Sequence, residues 1–495
     1  MASEIRVNKI ENRSGLGTVT FADTGVDLAG IVTATTFSGS GASLTALPAA
    51  QVTGTLPAIS GANLTNLPAA NLTGSLPAIS GANLTGIAAT DNVRTGILDV
   101  AGISTFRNTM NVGAAVTISE SGIEASGIGI TCANINGTQI GGRRNLIING
   151  AMTVAQRGTP TASGSYTTAA YGACDRWKLE ANSTDQAAFV ISQESDAPTG
   201  SGFTKSIKIK TNTAETTLDS NEILHVSQPI EAQDLQHLKN GTSSALPVTL
   251  SFWVKAYQTG TFVVNLYKPD NTNRQITATY TISASNTCEF KTMTFPGDTS
   301  GSGINNDTGT GFQIYWLLAA GSDFTGTTNT SWANYANGGF ANGQTVNIMS
   351  STDNYHYLTG VQLEVGSQAT AFEHRSIGEE ETLCQRYYYR QSAEHQYMRY
   401  DCNGQCPSAN GAQFVFSLPV RQRANATIGY SALTDFYIYA SNLQSKTPTA
   451  ITLSAGSTKS PMLAFDKSST FSAGAGAHLS TPNSQQGYIE FIAEL

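Results

Sequence analysis

The sequence predicts a mainly β protein: an elongated, intertwined trimeric β fibre shaft, followed by a jelly-roll β-sandwich and a small β tip domain. Three observations carry this. Charged residues are only 13% of the 495-residue chain, while Gly fills 48 positions. That texture suits short strands and tight turns rather than charge-coated helices. A proline-studded 20-residue repeat occupies the N-terminal part. Alternating aromatic segments, parted by Gly- and Asn-rich loops, fill the chain after residue 160.

Residues 1–36 precede the repeat, which defines a first shaft element over 37–90. AAQVTGTLPAISGANLTNLP at 49–68 is followed by AANLTGSLPAISGANLTGIA at 69–88. Leu44, Leu64 and Leu84 share one register, and Leu47, Leu67 and Ile87 another. Pro48, Pro57, Pro68 and Pro77 exclude a continuous helix, because each removes a backbone donor and clashes with the preceding turn. Gly is not at every third position, which excludes collagen. What remains is extended chain with rows of Leu and Ile that one ribbon cannot bury alone. Winding three copies about an axis covers those rows and leaves no open edge. A flexible linker would not hold its apolar residues in phase. Residues 91–144 read as a second, looser shaft, with short alternating stretches such as AAVTISESG.

From 145 to 375 the strands lengthen. VTLSFWVKAY (248–257), GTFVVNLYK (260–268), SIKIKT (206–211), FKTMTF (290–295), FQIYWLL (312–318) and YHYLTGVQLEVG (355–366) alternate and predict a β-sandwich. Trp253 and Trp316 read as core residues, and His356 as a neighbour of the sheet. Residues 376–390 predict a short linker helix: Ser376 and Glu379 form a capping box, Glu379–Glu381 fill the first turn, and Arg386 and Arg390 follow. Leu383 and Tyr387 would share a face, placed to pack against the trimer axis. Residues 391–495, with VFSLPVRQR and DFYIYA, predict a compact β tip.

Net charge is −8, with seven positive and eight negative groups in the first 144 residues. No basic nucleic-acid footprint is present, and the balance speaks against a polyanion partner while leaving room for a neutral one such as a glycan. No secretory leader is visible, and no apolar run approaches a membrane span, so neither nucleic-acid binding nor membrane insertion is expected. Six scattered Cys suggest a reducing compartment. Cys402 and Cys406 sit close enough for a local loop staple or plain thiols, but no second pair or His completes a metal site. No cofactor motif appears.

NLIINGAMTVAQRG (145–158), DRW (175–177), SFWVKA (251–256) and LTGVQLEVGSQATAFEHRS (358–376) together resemble a module of bacteriophage tail fibres of the marine and cyanobacterial type, itself similar to carbohydrate-binding jelly rolls. SEIRVNKIENRSGLGTVTF and GIVTATTFSGSGASLTAL resemble the N-terminal and shaft parts of such fibres, and GYIEFIAEL (487–495) resembles the last strand of many fibre tips. The resemblance implies a virion protein assembled in the host cytoplasm. Its residues 1–36 would attach to phage tail, baseplate or adaptor proteins. Its C-terminal domains would adsorb to host cell-surface polysaccharide or lipopolysaccharide. A neck whisker or capsid fibre, structural and without receptor, is the other reading.

Sugar binding favours aromatic faces beside hydrogen-bonding groups on loops. Trp332, Tyr335 and Asn337 in SWANYANGG meet this description, as do Tyr397, Arg399, Tyr400 and Asp401 in the tip. Packing is the competing role for Trp332. A polysaccharide-cleaving spike would need two paired carboxylates. Asp270, Asp307, Asp323 and Asp353 lie in turn-like loops with nothing pairing them, so no enzymatic activity is expected.

Overall fold

The computed structural model describes residues 143–158, 170–182, 187–326, 330–440, 444–467, 471–482 and 486–495, with short stretches before residue 126. The chain forms two compact units, Met1–Arg107 and Asn108–Leu495. In the first, β1 (Lys9–Glu11), β2 (Thr18–Ala22) and β3 (Gly25–Leu28) make an antiparallel meander. The 20-residue repeat at 49–88, and with it the predicted intertwined shaft, lies outside the described residues. The second unit opens with another meander, β4 (Met110–Val112), β5 (Val116–Ser119) and β6 (Gly122–Ala125).

Twelve strands then build a β-sandwich. They are β7 (Ala170–Tyr171), β8 (Lys178–Asn182), β9 (Ala188–Glu194), β10 (Ser206–Thr213), β11 (Ile223–Glu231) and β12 (Val248–Ala256). Next come β13 (Gly260–Lys268), β14 (Arg274–Ile282), β15 (Glu289–Phe295), β16 (Thr310–Ala320), β17 (Ala333–Asn334) and β18 (Tyr355–Val365). One sheet runs β15-β12-β18-β10-β9, the other β17-β14-β13-β16-β11-β8-β7. The chain passes repeatedly between the two layers, every strand pairing in both sheets is antiparallel, and the sheets share one core.

Alternation decides what enters that core. Phe262, Val264 and Leu266 of β13 point in, with Phe252 and Val254 of β12 and Ile314, Trp316 and Leu318 of β16. Trp316 lies 5.4 Å from Trp177 and 5.9 Å from Phe252, centroid to centroid. Each such side chain contributes roughly 1.5–3 kcal/mol by leaving water. Trp253 breaks the expectation. Its neighbours Phe252 and Val254 take the inward positions, so period two turns the indole outward onto Phe290 at 5.2 Å. His356 is fully buried between the sheets, its Nε2 3.2 Å from the Tyr280 hydroxyl, and burial pushes its pKa down to about 3.

After the sandwich, α1 (Ile377–Gln385) begins as its capping box predicts, with Ser376 Oγ accepting from Glu379 N at 3.3 Å. Strands β19 (Tyr388–Ser392), β20 (Cys402–Ser408), β21 (Gly411–Phe416), β22 (Thr427–Tyr430) and β23 (Tyr437–Ala440) follow. Then come β24 (Gln444–Lys446), β25 (Ala450–Ala455), β26 (Met462–Asp466), β27 (Gly476–Ser480) and β28 (Tyr488–Ile492). They form a three-stranded sheet, β19-β28-β22, and a seven-stranded sheet, β24-β23-β27-β20-β21-β26-β25. Phe414, Phe416, Phe436, Phe465 and Phe491 fill the core of the tip. Arg390, expected in the helix, belongs to β19. Cys402 and Cys406 are free thiols on β20.

The sandwich and the tip are joined by a buried polar seam, which accounts for the motifs Asp175-Arg176-Trp177 and NLIINGAMTVAQRG. The Arg176 guanidinium is 1% exposed, ion-paired to Glu494, donates to Pro229 O at 2.6 Å, and lies 3.6 Å over the Tyr387 ring. Arg157 sits 3.5 Å over Tyr388 and reaches Glu494 at 3.2 Å. Glu231 accepts two hydrogen bonds from Arg386, at 2.8 and 2.6 Å, and one from the Tyr387 hydroxyl at 2.9 Å. Asn149 N donates to Glu380, so one of the helix-start acids is also a fastener. A side chain at Gly150 would meet Val361 O at 2.1 Å, and only Gly fits there. Tyr387 is buried inside one chain with Ile148, Val154 and Cys384, which leaves it no surface for a trimer axis, and half-buried Leu383 packs against the same cluster.

Candidate functional site

The outer face of the seven-stranded sandwich sheet carries a cleft of about 400 Å³. Alternation puts Glu180 of β8, His225 of β11, Tyr315 of β16 and Tyr267 of β13 on this face, opposite the core residues between them. Register brings them together: His225 pairs across with Glu180, and Ser227 with Tyr315. Residues 322–326 and 330–341 lie over the sheet and add Phe324, Tyr335 and Phe340 as a wall.

Buried amides hold that wall. Asn265 Nδ2 donates to Phe340 O at 2.9 Å and to Gln275 Oε1 at 3.2 Å, and Gln275 Nε2 donates to Ala336 O at 2.8 Å. At the near end, Arg274 donates to Asn334 Oδ1 and to Trp332 O, each at 3.0 Å. Its charge is balanced by buried Asp298, which also meets Lys268 at 3.1 Å. The loop is thus fastened from below by polar groups with no water access, so its aromatic rings are preorganised.

The rings form one connected set. Tyr315 stands edge-on to His225 at 4.7 Å and to Phe340 at 4.9 Å, and Tyr335 leans on Tyr267 at 5.3 Å. Beside them, Glu180 Oε2 accepts from Ser227 Oγ at 3.0 Å and Oε1 meets Lys178 Nζ at 2.8 Å. Burial works to raise the Glu180 pKa, but His225, Lys178 and the Ser227 hydroxyl outweigh it and hold the carboxyl below its usual range. Burial pushes His225 down to about 4, against the pull of Glu180, so near neutrality the ring is uncharged. His225 Nδ1 lies 3.6 Å from Glu180 and has no hydrogen-bond partner, although the residue is only 7% exposed. The arrangement offers aromatic faces, one ionised acceptor and one neutral imidazole, which suits a polyhydroxylated, uncharged ligand.

Of the residues expected at a site, the structure brings Tyr335 to this cleft, with Asn337 beside it. The Tyr335 ring is 37% exposed, and its hydroxyl donates to Asn337 Oδ1 at 2.8 Å. Trp332 turns the other way. Its indole stacks toward Phe312 at 6.0 Å against the core and donates to Pro296 O at 2.6 Å. In the tip, Tyr397 is 57% exposed, and Arg399 and Asp401 are exposed, but Tyr400 is buried beside Phe436 in the tip core and cannot join them. Asp270 accepts from Asn305 Nδ2 at 2.6 Å and Asp307 from Gly309 N at 2.8 Å, as turn residues do, while Asp323 and Asp353 stand in other loops. Among the described residues, no group of three or more His, Cys, Asp or Glu is placed to hold a metal. Sequence reasoning missed Glu180, His225, Tyr267, Tyr315 and Phe340. The signal available for the first four was their outward parity on strands whose inward positions were plainly apolar.

No protein-family model and no curated protein matches this chain. Solved structures similar to part of it include the enzymatically active domain of tailspike protein 4 of bacteriophage CBA120. That pair is 12% identical with a TM-score of 0.22, over 38% of this chain and 19% of that one. A family 11 carbohydrate-binding module of a cellulosomal cellulase from Clostridium thermocellum is 10% identical, TM-score 0.22, over 44% of this chain and 100% of the module. A xylan-binding domain from Paenibacillus barcinonensis is 7% identical, TM-score 0.20, over 39% of this chain and 87% of the domain. The sandwich assignment rests on the strands and their register rather than on these likenesses.

Proposed function

We propose that this protein is a non-enzymatic bacteriophage tail-fibre protein that binds a neutral glycan of the host cell surface, polysaccharide or lipopolysaccharide, in the cleft of its sandwich. The observation that carries the binding role is the cleft itself: preorganised tyrosines around a buried, unpartnered His225 nitrogen and an ionised Glu180. Binding without hydrolysis is supported by its acid content. Among the described residues Glu180 is the one carboxylate lining the cleft, and its pKa is displaced downward, away from what a general acid needs. Placement on the virion, with residues 1–36 meeting tail or baseplate proteins, is supported by the motif resemblance. A homotrimer assembled in the host cytoplasm is supported by the phased Leu and Ile rows of the repeat, and by Val26 and Ile31, which are 54% and 97% exposed in the described N-terminal strands and loops. Copies on one fibre then raise avidity without stronger single sites.

The test is an array of bacterial surface glycans probed with the full chain and with a Tyr335→Ala/Glu180→Gln variant. Wild type binds uncharged members, and the variant loses about tenfold or more in apparent affinity. Equal binding by both proteins, or no uncharged glycan bound at all, overturns the reading. Sedimentation of the full chain should give a trimer, and a monomer would contradict the shaft.

A further inference from the structure

The opposite outer face of the sandwich, on the five-stranded sheet, carries a different chemistry. Ile207 and Ile209 of β10 enter the core, so Lys208 and Lys210 point out. By the same parity Trp253 and Lys255 of β12 and Tyr355 and Tyr357 of β18 face outward, with Phe290 of β15 beside Trp253. Register arranges these in rows across the sheet. Tyr357 pairs with Lys208 on one side and Lys255 on the other, and Tyr355 pairs with Lys210. Tyr257 extends the second row, its N donating to Tyr355 O at 3.1 Å. Gly360, at φ 60°, is what lets the face close near Trp253: a Cβ there would meet Phe203 at 2.7 Å and Trp253 at 3.1 Å.

The charges on this face are unequal. Lys255 is held by Asp196 and lies 4.4 Å from the Tyr357 centroid. Lys208 Nζ lies 5.1 Å from Tyr357 and 5.7 Å from Tyr355 and feels the Glu194 carboxylate on the neighbouring strand, but neither Lys208 nor Lys210 is in a contact ion pair among the described residues. Tyr257 and Phe290 are 45% and 47% exposed. A sheet face that carries such rings together with two ammonium groups free of contact ion pairs is an arrangement for stacking sugar rings and taking negative charge together.

We propose that this face is a second polysaccharide-binding surface, for an anionic chain bearing carboxylate or sulfate groups. Lys208 and Lys210 receive the charges, and Tyr257, Tyr355 and Phe290 receive the ring faces. The net charge of −8 argues against a polyanion partner for the chain as a whole. The local balance on this face is the reverse: Lys208, Lys210 and Lys255 stand against Glu194 and Asp196, and Asp196 is already committed to Lys255. Salt sensitivity should therefore be steep, since both lysines are near the surface and screened by ions.

The full chain is titrated with polygalacturonate, with its methyl ester (the same backbone without charge) and with dextran. At about 0.1 M salt wild type binds polygalacturonate, and at about 0.5 M the affinity falls several-fold. Lys208→Gln/Lys210→Gln weakens binding about tenfold, and Tyr257→Ala a few-fold. Tyr335→Ala/Glu180→Gln leaves polygalacturonate binding unchanged, which separates this surface from the cleft. Equal binding to the methyl ester, an unaffected lysine variant, or no binding to polygalacturonate overturns the proposal. So does a lysine variant that changes the sedimentation of the chain, which would make the face a contact between copies.

Discussion

The two outer faces of the sandwich are built by the same rule and end with opposite character. On both, period-two alternation sends apolar side chains inward and leaves aromatic rings outside. The seven-stranded face surrounds its tyrosines with Glu180, held ionised, and neutral His225, and its nearby Lys178 is engaged by that carboxylate. The five-stranded face sets its rings beside Lys208 and Lys210, neither of which is in a contact ion pair among the described residues. A folded loop walls in the first face, while the second lies open. Net charge summed over a chain does not describe either face. What distinguishes them is which ionised group register places beside the rings.

The sandwich that carries both faces is fastened to the tip by the buried seam, and breaking it should give the largest effect. Arg176→Ala leaves the buried Glu494 carboxylate with Arg157 alone and Pro229 O without its donor, and we expect a loss of about 3 kcal/mol in denaturant unfolding. A loss below about 1 kcal/mol would mean the seam is not structural. For the same reason, removing residues 376–495 would strip Glu494 and Tyr387 from the sandwich, so point variants are the sounder way to compare the faces.

Acid gives the next effect. His225 and His356 are depressed to about 4 and about 3, so the unfolded chain takes protons from pH 6.5 downward while the native imidazoles resist. Stability present above pH 6.5 is lost as pH falls, on the order of 5 kcal/mol by pH 4.5. Asp175 opposes this: burial raises it to about 6, against Arg157 and Gln156, and its native protonation returns about 2 kcal/mol over the same range. Denaturant midpoints followed against pH should therefore fall below pH 6.5, less steeply in His356→Gln. A flat profile would contradict the buried, neutral histidines.

Smaller effects sharpen the difference between the faces. Glu180→Gln alone should weaken neutral-glycan binding by about tenfold or less while leaving anionic binding untouched. Tyr335→Phe, which removes only the hydrogen bond to Asn337, should change affinity about two- to fivefold, read by calorimetry. An effect of either variant on polygalacturonate binding would mean the two faces are not independent.

Much of the fold was legible in the sequence. GTFVVNLYK, FQIYWLL and YHYLTGVQLEVG alternate strongly enough to give strands, and Ser376 with Glu379 gave the helix start. Trp253 was misjudged because an apolar neighbourhood is not a parity, and Phe252 and Val254 already claim the inward positions. Glu180 and His225 were invisible as a pair, since β8 and β11 are joined only by register across more than 40 positions. Tyr335 and Asn337 stood out because an aromatic and an amide in a Gly-rich loop have few other uses. Trp332, three residues earlier, has a core to fill instead.

Hydrogen–deuterium exchange of the full chain with its best uncharged oligosaccharide bound tests the cleft most directly. The account predicts slowed exchange in 333–341, 178–182 and 223–227. Protection confined to 397–401 of the tip, or to 206–213 and 355–359 on the lysine face, would contradict it.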